Sequence, residues 1–137
     1  MPNDIVTFEK IPINVHSRKA IYDVYHVLVN NKSKVLDDFN MLSMDTKEQI
    51  KSLIKKMATV EGYNSDKIKY NLHGYNFGEI KPKPHRFFFF KKCGKNIIFF
   101  EYKLKKTNSL GNRIYKEIDK EKKKYEEEFQ RYISGRV

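Results

Sequence analysis

The residues best suited to chemistry lie between Lys81 and Lys106. That stretch holds nine Lys or Arg against one acid, Glu101, so it carries most of the +11 of the whole chain. Lys81, Lys83, His85 and Arg86 lead into the apolar quartet Phe87–Phe90, while Lys103, Lys105 and Lys106 follow a second quartet, Ile97–Phe100. If the quartets are antiparallel strands, the two basic sets meet at one end of the pair. Cations gathered in this way suit polyanions: RNA, DNA, an anionic membrane surface or an acidic protein, and charge alone does not choose among them. If the partner is RNA, cleavage by its own 2′-hydroxyl needs a group to take its proton, cations to stabilise charge growing on the phosphorus oxygens, and an acid for the leaving 5′-oxygen. The chain offers Lys81, His85, Arg86, Lys105, Lys106 and Tyr115 for those tasks, with Lys83, Lys91, Lys103 and Arg113 as further phosphate contacts. Arg86 suits a phosphate clamp through its planar fork. A Lys works as a base only if its pKa falls from about 10.4. Crowding of Lys81, Lys105 and Lys106 acts in that direction: at 4 Å, repulsion is roughly 1 to 4 kcal/mol in effective dielectrics of 80 to 20.

Each of these residues has a plainer reading. Arg86 beside a greasy strand suits a structural salt bridge, and Lys105 and Lys106 suit a solvated face, because alternation puts only one of the two on the side of Arg86. A Tyr near a helix start packs at the helix edge, and a His before a strand is exposed or satisfied. His16 and His26 read as surface positions. Cys93 is the single cysteine, so it forms no internal disulfide, and no metal-ligand spacing surrounds it.

The elements that must position the basic cluster start with the hairpin. Quartets with no polar residue cannot face water on either side, so Phe87–Phe90 and Ile97–Phe100 read as core strands turning at Cys93-Gly94. Phe77–Lys81 reads as the preceding strand, with Lys81–Pro84 as the turn. Upstream, Ile5–Ile11 reads as a short edge strand stopped by Pro12. Ser17 is placed to cap a helix with Ile21, Val24, Tyr25, Leu28 and Val29 on one stripe, loosened at Asn30-Asn31. A second helical piece covers Ser33–Leu42. Asp45-Thr46-Lys47-Glu48 has capping-box form before the stripe Ile50, Leu53, Ile54 and Met57, with Gly62 to end that helix. Tyr63–Gly78 reads as a weak strand. Asn108-Ser109 caps the last helix, whose Lys122–Lys124 and Glu126–Glu128 are polar all round, so its last two turns are expected to be mobile or to await a partner. The pattern β-α-α-β-β-β-α fills residues 1–137 as a single α+β domain: N-terminal strand and helices on a small, mainly antiparallel twisted sheet, closed by a C-terminal helix.

Length and composition agree with one core. The chain has 137 residues, 39% hydrophobic and 33% charged, too apolar for disorder and with no run near the roughly 20 residues needed to cross a bilayer. Met1–Lys10 lacks the order of a signal peptide, so a cytoplasmic protein is expected, with no membrane contact. A pI near 9.6 favours polyanionic partners.

The order of these strands, with PHRFFFFKKCGKNIIFFEYKLKKT, resembles the RelE/HigB-like toxins of bacterial and phage type II toxin–antitoxin systems. Leu72-His73-Gly74 followed by Phe77–Lys81 is similar to the family's L-x-G and L-Y-E-L-R segments, His85–Phe89 to Y-R-I-F-Y/F, Ile97–Phe100 to I-V-L-L, and Lys105-Lys106-Thr107 to its K-K-T. The likeness covers about residues 65–120. Glu101-Tyr102 stands where the family has His-Gly, and Lys81 stands where Arg is common. The resemblance implies a RelE-like fold and a metal-independent, cofactor-free mRNA endonuclease acting at the ribosome, neutralised by a cognate antitoxin. It also implies a functional role for Tyr115, since some members carry a functional Tyr there. The runner-up is a non-catalytic ParE-like DNA gyrase inhibitor or a basic nucleic-acid-binding protein of phage origin; a third class is a pure protein-interaction module.

Overall fold

A computed structural model of the protein describes residues 4–13, 20–105 and 112–135. Its centre is the expected hairpin. Strands β5 (His85–Lys91) and β6 (Asn96–Leu104) run antiparallel around a turn in which Cys93 and Gly94 both take left-handed backbone. On the outer side of β5 lie β4 (Gly78–Ile80) and the two-residue β3 (Ile68–Lys69), both antiparallel. Gly78 is required there: a Cβ would come within 2.7 Å of the Phe89 ring and closer still to the Lys69 carbonyl.

The other side of β6 departs from expectation. Asp23–Val29 forms strand β2, not a helix, and runs parallel to β6 while pairing antiparallel with β1 (Val6–Lys10). The six-stranded sheet, ordered β1-β2-β6-β5-β4-β3, is therefore mixed and not mainly antiparallel. The physical reason is burial on two sides. Val24, Tyr25, His26 and Val27 are consecutive and all buried, and a continuous apolar run satisfies helical and strand spacing equally well. Its β-branched and aromatic content then favours the strand. His26 is not a surface residue either: its Nδ1 meets Ser33 Oγ at 2.7 Å and its Nε2 meets Glu9 Oε1 at 2.9 Å.

Helices cover both faces. One face carries α1 (Lys34–Asn40) and α2 (Met44–Thr59), whose Val35, Ile50, Leu53 and Met57 pack with Phe87, Phe89, Ile97 and Phe99. The opposite face carries α3 (Asn112–Ser134), whose Tyr115, Ile118, Tyr125 and Phe129 pack with Phe88, Phe90, Ile98 and Phe100. Each quartet thus divides its rings between two cores, as strand alternation requires. The N-cap of α1 is Ser33, which accepts from Leu36 N–H. The N-cap of α2 is Ser43, two residues before the expected Asp45, and α2 ends at Thr59 with Gly62 in the turn beyond it. The end of α3 is packed, since Phe129 meets Phe8 edge-on at 5.0 Å and Tyr132 meets Phe8 at 5.3 Å. Ser17 and Asn108-Ser109, expected as caps, lie outside the described residues.

Candidate functional site at the basic end of the hairpin

A β-bulge decides which side chains can meet. Phe88 pairs with Glu101 and Phe89 with Phe99, so Phe100 is the extra residue on β6. Beyond it the alternation of β6 is reversed, and Glu101 and Lys103 share the α3 side with their opposite numbers Phe88 and Arg86. Continued alternation places Lys105 on that side too. His85 and Tyr102 fall on the side of α1 and α2, where His85 Nδ1 lies 2.7 Å from Tyr102 Oη and the rings stack at 28°.

The turn between β4 and β5 is tight. His85 N–H donates to the Pro82 carbonyl at 3.0 Å, and Lys105 N–H donates to the Pro84 carbonyl at 2.8 Å. The backbones of His85 and Lys105 are therefore held at residues 82–84 by hydrogen bonds, with Lys81 and Lys83 adjoining them in the chain, while alternation sends the His85 and Lys105 side chains to opposite faces of the sheet. Burial, then the charge of Lys69, and then those of Arg86 and Lys83 lower the Lys81 pKa against the opposing pull of Glu79. Burial first and Arg86 second lower that of His85. A neutral imidazole whose Nδ1–H donates to Tyr102 Oη has Nε2 available to take a proton.

Arg86 is placed differently from the expected phosphate clamp. It is 4% exposed beside Glu79 at 3%, with Arg86 Nε 3.6 Å from Glu79 Oε2 and Nη1 donating to its neighbour's carbonyl, His85 O, at 3.0 Å. Arg86 Nε and Glu79 Oε1 make no hydrogen bond among the described residues. The guanidinium is thus a structural partner of a buried carboxylate.

The remaining candidates scatter. Tyr115 is buried in the α3 core. Lys91 sits at the far end of β5, about 20 Å from His85 at roughly 3.3 Å per residue, with its ammonium 4.8 Å from the Tyr22 ring and 4.9 Å from that of Tyr70. Arg113 is exposed on the first turn of α3, 3.6 Å from Glu117. Lys83 is exposed in the turn and Lys103 is half-buried. Lys106 lies outside the described residues. Among the described residues, no three His, Cys, Asp or Glu side chains converge as metal ligands would, and no helix is long and apolar enough to cross a membrane.

Three groups escaped sequence reasoning: Tyr102, Glu79 and a carboxyl pair, Glu101 with Glu121. A signal for the last was present, since Glu101 is the sole acid in a run of bases directly after a buried quartet, and a buried charge needs a partner. A search of protein-family models, of curated proteins and of solved structures found no match to this chain.

Proposed function

We propose that this protein is a RelE/HigB-like toxin that cleaves mRNA at the ribosome without a metal, in the cytoplasm, held in check by a cognate antitoxin. The observation that carries the reading is the set of Lys81, Lys83, His85 and Lys105 gathered at one tight turn. The resemblance rests on about residues 65–120, the stretch that carries β3 to β6 and the start of α3. In the proposed reaction His85 Nε2 takes the 2′-hydroxyl proton, the 2′-oxygen bonds to phosphorus, and the bond from phosphorus to the 5′-oxygen breaks. Lys81, as an ammonium made more acidic by its surroundings, returns a proton to that oxygen. The products are a 2′,3′-cyclic phosphate and a 5′-hydroxyl, and Lys83, in the exposed turn beside His85, stabilises the phosphorus oxygens.

The test is cleavage of a translated mRNA by the purified protein with ribosomes present. The wild type is expected to cut, and His85→Ala and Lys81→Ala are each expected to lose on the order of 100-fold in rate. Because burial and the charge of Arg86 lower His85 from its ordinary value near 6.5, the rate should be flat near pH 7 and fall only at a pH below that ordinary value, where the base becomes protonated. Uncut mRNA, or full activity in both variants, would defeat the proposal. The engagement of Arg86 by Glu79 favours the second reading, a non-catalytic nucleic-acid binder, for which RNA is bound and stays intact. Double-strand DNA breaks with intact mRNA would point instead to a gyrase inhibitor.

A further inference from the structure

Where β2 and β6 part beyond the His26–Phe99 pair, a cavity of about 500 Å³ opens. It is lined by Val27, Val29, Phe100 and Tyr125, and by the carboxyls of Glu101 and Glu121. The two carboxyls are hydrogen-bonded to each other across the gap between β6 and α3. An ionised carboxylate has no hydrogen to give, so this contact requires one shared proton.

Lys34 cannot take its place. Lys34 Nζ donates to Glu101 Oε1 at 2.6 Å, to Asp38 Oδ2 at 3.1 Å and to the Tyr102 carbonyl at 3.0 Å, so all three ammonium hydrogens are used. Glu101 Oε1 also accepts from Tyr102 N–H at 2.8 Å. Glu101 Oε1 is therefore served by Lys34 and the Tyr102 N–H, and the shared proton joins Glu121 to Glu101. The charged and titratable groups facing the pair are Lys34, Asp37 and Asp38 of α1, Lys32 of the turn after β2, Lys103 of β6 and Tyr125 of α3. Among the described acids, Asp37 and Asp38 add to the repulsion against a second negative charge.

We propose that Glu101, Glu121 and Lys34 form a proton-operated clasp that holds the middle of α3 on the sheet and loosens when the shared proton is lost. Charge partition follows the geometry. Burial raises Glu101, but hydrogen bonds from Lys34, Glu121 and the Tyr102 N–H outweigh it and leave its pKa below the usual value. Burial, then the hydrogen bond and charge of Glu101, push Glu121 up to about 7. A carboxyl raised in the folded state binds its proton more tightly there than in the unfolded chain. Its stabilisation is complete below the ordinary value near 4.5 and is lost as pH rises to about 7. The clasp works whether or not the basic end touches RNA.

The experiment compares urea unfolding of the wild type and Glu121→Gln from pH 5.5 to 8, alongside a carboxyl carbon NMR titration of the unmodified protein. Gln can donate to Glu101 without ionising. In the wild type the folding equilibrium constant should fall on the order of tenfold between pH 5.5 and 7 and then level, while in Glu121→Gln that fall is absent. The Glu121 carboxyl should titrate near neutrality. A wild type as flat as the variant, a fall that persists in the variant, or a Glu121 midpoint below pH 5.5 overturns the clasp. The NMR titration decides by itself if the variant does not fold.

Discussion

Arg86 and Glu79 form a pair from which water is excluded, and such a pair responds differently from one at the surface. Removing one partner leaves a charge in a place of low polarity, which costs about 3–5 kcal/mol, whereas replacing both by apolar groups of similar volume is close to neutral. Arg86→Ala is therefore expected to lower the urea midpoint by a loss of that size, with Glu79→Leu/Arg86→Met recovering most of it. Lys83→Ala, at an exposed position, should change stability by less than about 0.5 kcal/mol. Loss of activity in Arg86→Ala would consequently report on folding, and the exposed turn lysine is the cleaner probe of phosphate contact. Tyr102 makes the opposite point: with His85 bonded to its hydroxyl, a residue first seen as a departure from a family motif supplies the orientation a basic imidazole needs.

Among the elements, α2 shows how local rules compete. Both Ser43 and Asp45 stand where a cap is chemically sensible, but only the Ser43 hydroxyl accepts from the backbone, from Thr46 N–H at 3.2 Å. Ser43→Ala should cost about 1 kcal/mol, and Asp45→Ala only the smaller helix-dipole contribution of roughly 0.3–0.5 kcal/mol, both read from thermal or urea unfolding. The hairpin, its turn and its burial on both faces were legible because two all-apolar quartets flank one glycine, leaving few alternatives. Strand β2 was not, since Ile21–Val29 satisfies a helical stripe and a buried strand together, and the choice is made by the free edge of β6 far along the chain. The basic cluster was legible as composition. Its division between two faces was not, because a single extra residue, Phe100, reverses which side chains of β6 point where, and no local signal marks a bulge.

At the scale of the molecule, charge and topology set behaviour together. A chain of +11 that gathers Lys81, Lys83 and Lys105 at one turn should bind single-stranded RNA with log affinity falling against log salt at a slope of about −2 or steeper, since each phosphate contact contributes about −0.7. Fluorescence anisotropy across a salt series measures it, and neutralising Lys83 should make the slope shallower by about 0.7. The order of the sheet has a further consequence for synthesis. Strand β6 lies between β2 and β5, and Asp23 pairs alongside Asn96, so the N-terminal ribbon of β1 and β2 is translated about seventy residues before the strand that covers its inner edge. During that interval a greasy two-stranded ribbon is exposed to the cell with one side unzipped, the form in which strands recruit foreign strands. A ribosome that stalls before residue 96 would therefore release a sticky fragment, and only translation through β6 lets the first segment made find the place that closes it.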